Sequence, residues 1–290
     1  MASRLFGYVP RPDEVVRILS TKTNPTFAEA APGLANIWQG QEIGLWMAAK
    51  QVNGGNHLEA DRQTIGDCVS HGYARGTDYL YCVKESAGLV DGYQEGQTSA
   101  MSEFIYGSSR KGHLSWQDGS NGIWAVEGLK RDGYKFRLGK KYDGNLAKNY
   151  GFYGVKPDDE SHSRILTDYA LLETPQDMAN ALLSGSPCPI CSNQGFTETR
   201  NADGICVASG IWNHCMLVIG IYKIGGEWYF VILQSWGGIS PKGPIPSVGF
   251  PSNAFGCHWN TMGRILKQRD SYGLEMVRGW KPVENVSWVM

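Results

Sequence analysis

An α+β protein of two lobes with a cleft between them is predicted by three observations. In the first half, Cys68, Gly72, Gly76, Tyr79, Leu80 and Val83 recur near helical spacing. In the second half, short runs at 188–192, 216–222 and 228–233, the last two rich in Ile, Val and Tyr and joined by Gly225-Gly226, read as strands. Helices followed by strands, rather than alternating with them, put the two kinds of element in separate lobes. A length of 290 residues is enough to build both.

Taken in order, residues 1–60 form an irregular N-terminal arm, because Pro10, Pro12 and Pro25 interrupt it, with a short helix within 36–49. Residues 61–160 form the helical lobe. Asp67 stands at the N-cap position of the helix that begins near Cys68. A second helix is predicted over 121–132, with Ile123, Val126 and Leu129 on one face and Gly133 as its stop. Residues 157–163 are a polar connector. Residues 161–290 form the β-rich lobe, opened by a short helix from Pro175 that Gly185 ends and closed by an extension carrying Pro241, Pro244, Pro246 and Pro251.

Composition narrows the function classes. A net charge of −1 argues against a general nucleic-acid or membrane-surface binder. The start of the chain lacks the apolar stretch of an export signal, and no segment is apolar for long enough to span a bilayer, so a cytoplasmic or virion-associated location is expected. Seven cysteines are an odd set, which leaves a free thiol in a reducing compartment. Lys130, Arg131, Lys135, Arg137, Lys140 and Lys141 form either a solvated face or an anionic-ligand patch. Cys188-Pro-Ile-Cys191 would need two more ligands to hold a metal, and Cys206, Cys257 and His258 are scattered, so no metal is expected. Phosphate-loop and dinucleotide motifs are absent, so no cofactor is expected.

Chemistry concentrates in two adjacent strands. His214 heads one, and the next ends in Gln234-Ser-Trp-Gly237, an arrangement in which a side-chain amide fixes the orientation and tautomer of an imidazole. Upstream, Gln63-Thr-Ile-Gly-Asp-Cys68 supplies a nucleophile at a helix N-terminus, where dipole and unpaired N–H groups favour thiolate. The backbone N–H of Cys68 and the amide of Gln63 are the candidate donors to an oxyanion. His71, one turn into the helix, is a packing residue or a nearby modulator.

On these residues the chain resembles the papain-like cysteine proteases. Four blocks carry the resemblance, in family order: Gln63 to Cys68, Gly119-Ser-Asn-Gly-Ile-Trp-Ala-Val-Glu-Gly-Leu-Lys-Arg-Asp-Gly133, Asn213-His214 with the strand after it, and Leu233-Gln-Ser-Trp-Gly237. The resemblance implies a two-lobed fold with a β-barrel-like second lobe and the site in the cleft. It further implies Cys68 as nucleophile, His214 as its partner, Gln234 as third residue, Gln63 as oxyanion donor and Trp236 as a shield over the histidine–amide bond. Gly119, Ser120, Asn121, Gly122 and Asn213 become the substrate-binding residues. The chain departs from the family in having Gln234 where asparagine is usual, five rather than six positions from Gln63 to Cys68, and Val69 rather than Trp after the nucleophile. About 60 residues precede the first block, short for the prodomain of secreted members, and the sequence leaves open whether they cover the cleft or brace the fold. Three readings stay open: a cysteine peptidase acting on protein or peptide, a peptidoglycan amidase or endopeptidase, and a structural component of a larger complex, such as a virus particle, with activity weak or lost.

Overall fold

A computed structural model describes residues 6–59, 61–110, 117–237, 241–276, 280 and 287–290. The segment expected as an irregular arm is built instead from short elements: α1 (Pro12–Leu19), α2 (Phe27–Ala30), β1 (Ile43–Gly44) and α3 (Trp46–Val52). The helix foreseen within 36–49 thus begins at Trp46, because Asn36 takes a left-handed conformation (φ 66°) and β1 intervenes. Trp46 is fully buried in the core around the main sheet, so this part of the arm braces the fold.

The helical lobe comprises α4 (Cys68–Ser86), α5 (Ser102–Ser109), α6 (Gly122–Arg131), α7 (Gly144–Tyr153) and α8 (Asp159–His162). Then come β2 (Asp168–Leu171), α9 (Pro175–Leu183), β3 (Cys188–Phe196), β4 (Ala208–Ile224), β5 (Glu227–Leu233), β6 (Ala254–His258), α10 (Trp259–Leu266) and β7 (Tyr272–Glu275). The α6 and α9 helices begin and end within a residue or so of their predicted positions. Their caps explain it: Asn121 accepts the Trp124 N–H, and Thr174 and Asp177 form a capping box.

β4 is the spine of the second lobe. One edge pairs antiparallel with β5, which pairs with β6, and the other edge takes β3 and, farther along, β1. Among the described residues the sheet is open rather than a closed barrel: on the outer edge of β6, Gly256 accepts the Cys206 N–H and donates its own N–H to the Gly204 carbonyl, so a loop lies there instead of a strand. β2 and β7 form a separate two-stranded sheet.

α4 lies between the lobes. It sends Tyr79, Cys82 and Val83 into the core around the main sheet, and Cys68, Val69, Tyr73, Ala74 and Leu80 into the core of the helical lobe. Cys188 and Cys191 likewise fall in different cores, so their spacing does not bring the two thiols together. Among the described residues, no helix is long and apolar enough to cross a membrane.

Candidate active site

Cys68 is the first residue of α4 and is fully buried. Asp67 holds the N-cap position but bonds no helix N–H through its side chain. Its carboxylate instead accepts the Tyr142 hydroxyl at 2.8 Å and lies 3.5 Å from His71 Nε2, which is itself buried. The Cys68 Sγ accepts the backbone N–H of Cys215 at 3.4 Å, so the thiol sits against the residue that follows His214. Burial pushes the thiol pKa far above the usual range, and nearby Cys215 adds to this, while the amides of Cys215 and Gly7 pull it down.

His214 is also fully buried, on β4 opposite Ser192. Its Nε2 lies 2.9 Å from Gln234 Oε1, at the end of β5, and Trp236 stacks on the ring at 4.5 Å between centroids. Asn253 pins the Gln234 backbone on both sides, accepting its N–H at 3.1 Å and donating Nδ2 to its carbonyl at 2.8 Å. Gln63 joins the same assembly. Its N–H donates to the Ser235 carbonyl at 3.0 Å, its Oε1 accepts the Ser235 hydroxyl, and its Nε2 donates to the Ile65 carbonyl at 3.0 Å.

The four residues from Gly119 do different things. Ser120 offers its backbone to the cleft, whereas Asn121 and Gly122 turn inward to start α6. What Ser120 and Asn213 hold is the chain's own N-terminal segment. Ser120 donates to the Gly7 carbonyl and accepts from the Val9 N–H, both at 2.8 Å, and the Tyr8 N–H donates to the Asn213 carbonyl at 3.2 Å. Phe6 packs edge-on against His214 and Trp236, with centroids at 6.1 and 5.9 Å. Gly7 passes so close to the loop before the nucleophile that a Cβ there would stand 1.9 Å from the Gly66 carbonyl oxygen. The first part of the arm therefore covers the site. The sequence left open whether residues 1–60 cover the cleft or brace the fold, and it did not point to Phe6, Gly7 and Tyr8, where the local signal was a glycine between two aromatics.

Other sequence expectations resolve into pairs. Arg137 is buried against Glu103 (3.1 Å) and Asp61 (3.3 Å), Arg131 bonds Asp132, and Lys135 pairs with Asp158, so these three of the six basic residues each have their own carboxylate partner, while Lys130, Lys140 and Lys141 are exposed. His258 caps α10, accepting the Asn260 N–H.

No protein-family model and no curated protein sequence matches this chain. Solved structures do. Xylellain, a cysteine protease from Xylella fastidiosa, is similar over 96% of this chain and 99% of its own at a TM-score of 0.64 and 15% identity. The chain has the papain-like fold. Digestive procathepsin L 3 of Tenebrio molitor larval midgut matches over 90% of this chain and 79% of its own (TM-score 0.57, 14% identity), and procathepsin B S9 from Trypanosoma congolense over 94% and 86% (TM-score 0.57, 13% identity). In this papain-like chain, Cys68 starts the helix between the lobes, His214 lies on β4 next to the residue whose N–H bonds the Cys68 sulfur, and Gln234 follows β5.

Proposed function

We propose that the chain is a cysteine peptidase held latent by its own N-terminal segment. The observation that carries this reading is the His214 Nε2–Gln234 Oε1 contact of 2.9 Å under the Trp236 ring, set beside a helix-starting cysteine. In this reading Nε2 bonds the amide, and Nδ1 is the ring nitrogen that exchanges a proton with Cys68. His214 takes the thiol proton, and the sulfur forms a bond to the carbonyl carbon of a peptide. The tetrahedral oxyanion is met by the Cys68 N–H and the Gln63 amide. The C–N bond then breaks, and His214 gives its proton to the leaving amine. Water, deprotonated by His214, cleaves the thioester and restores the thiol.

The seated arm offers the sulfur an amide N–H from Gly7, not a carbonyl carbon, so it blocks the site without being a substrate there. Covering also removes the water that would stabilise a thiolate, in keeping with the raised pKa of Cys68. A structural protein with a dead site is favoured by the same burial, and one experiment separates the two. The full chain and its Gly7→Ala variant are treated with an electrophilic thiol reagent, and adducts are located by mass spectrometry. The peptidase reading expects Cys68 to be labelled at least about tenfold faster in Gly7→Ala than in the parent, and that rate to collapse in Gly7→Ala/His214→Ala. Labelling of Cys68 in Gly7→Ala no faster than that of the other six cysteines supports the dead site.

A further inference from the structure

Two further thiols lie under Cys68. Cys191 on β3 and Cys215 on β4 stand directly opposite each other in the antiparallel register, and both are fully buried. Their N–H groups point away from each other. Cys215 donates to the Cys68 sulfur at 3.4 Å, and Cys191 donates at 3.2 Å to the carbonyl of Asp270, whose carboxylate accepts the first N–H groups of α6. The two cysteines are therefore a non-hydrogen-bonded pair, the kind whose Cα atoms stand about 4.5 Å apart and whose side chains come closest. A disulfide spans Cα atoms about 4.4–6.8 Å apart, so the pair can be bridged without moving either strand. Both side chains face α4. A Cβ on Gly72 would stand 2.9 Å from Cys215 Sγ, and one on Gly76 would stand 3.3 Å from Pro189 Cγ. Cys191, two residues from Pro189, shares its face of β3. Gly72 comes one turn after Cys68 on α4, which puts the Cys215 sulfur one helical turn from the nucleophile.

We infer that Cys191 and Cys215 form a redox site serving Cys68, which passes the oxidation it receives from a peroxide to this pair and returns as a thiol. The inference goes beyond the peptidase reading, since it needs the sulfur of Cys68 and not hydrolysis. The Cys68 sulfur attacks hydrogen peroxide, breaks its O–O bond and becomes a sulfenic acid, releasing water. The Cys215 sulfur displaces that hydroxyl as a second water and forms a Cys68–Cys215 disulfide. Cys191 then attacks the Cys215 sulfur, and its proton passes to the departing Cys68 sulfur. Two thiols and one peroxide thus become one disulfide and two waters, and Cys68 is kept from the irreversible sulfinic state. Burial pushes the Cys191 thiol well above its usual range, and the Cys215 sulfur beside it adds to the effect. The pair therefore stays protonated and slow toward oxidants of its own accord, so oxidation enters through Cys68.

The test reads sulfur chemistry alone, so it stands apart from any failure to cleave peptides. The full chain carrying Gly7→Ala is treated with a stoichiometric amount of hydrogen peroxide. Remaining thiols are then blocked in denaturant, and linkages are mapped by mass spectrometry. A Cys191–Cys215 linkage is expected, with Cys68 still open to alkylation. Adding Cys191→Ala should halt the transfer at a Cys68–Cys215 linkage. Adding Cys215→Ala should abolish linkage and raise the yield of Cys68 sulfinic acid several-fold, whereas Cys188→Ala, in the other core, should change nothing. The mapping in the Gly7→Ala chain needs no cysteine variant to fold. Cys68 found there as sulfinic acid, with Cys191 and Cys215 both free, overturns the inference. So does a Cys191–Cys215 linkage that forms as fast when Cys68→Ala is added, because oxidation would then enter elsewhere.

Discussion

Gln234 is one methylene longer than asparagine, and its surroundings give that length a purpose. Its backbone is tied to Asn253 through both N–H and carbonyl, so the residue cannot advance toward His214. The longer side chain spans the gap and closes to 2.9 Å. Shortening it strands the imidazole: in the Gly7→Ala background, Gln234→Asn and Gln234→Ala should both lower peptidase kcat by about 5- to 150-fold, the range set by about 1–3 kcal/mol for a buried bond left unmade. Turnover of Gln234→Asn equal to that of the parent would show that the strand moves to suit the side chain. From sequence, Cys68, His214, Gln234 and Trp236 were legible because each stands in a short block with fixed chemistry. Asp270 was not, since a lone aspartate in a loop looks the same whether it is buried or solvated.

At the level of elements, helix ends were readable and their long-range partners were not. Asn121 and Thr174 cap as their residue types predict, using neighbours three positions away. The start of α6 also depends on Asp270, nearly the whole length of the molecule's second lobe later in sequence. Burial raises the Asp270 carboxyl from 3.8 to about 6, against the pull of the two helix N–H groups. A carboxyl so raised contributes stability that is fully present below its unfolded pKa and lost as pH rises through about 6. The urea midpoint of the parent should therefore rise relative to that of Asp270→Asn between pH 7.5 and pH 5. A constant difference across that range would mean that Asp270 titrates with an ordinary pKa.

For the molecule as a whole, the two-lobed α+β arrangement followed from helices preceding strands, and the closed barrel did not, because a loop rather than a strand lines β6. Residues 1–60 divide into two tasks that composition could not separate. Trp46 and β1 are embedded with the main sheet, whereas Phe6, Gly7 and Tyr8 lie over Cys68 and His214. In the proposed reading, latency is a property of the arm and the cleft together. Its most direct test is the pH dependence of Cys68 alkylation in the Gly7→Ala chain. A thiolate–imidazolium pair keeps the rate high from pH 8 down to about 5, and adding His214→Ala converts the profile to a single rise near about 8.5. A Gly7→Ala profile that already rises only near about 8.5, unchanged by His214→Ala, would contradict the account.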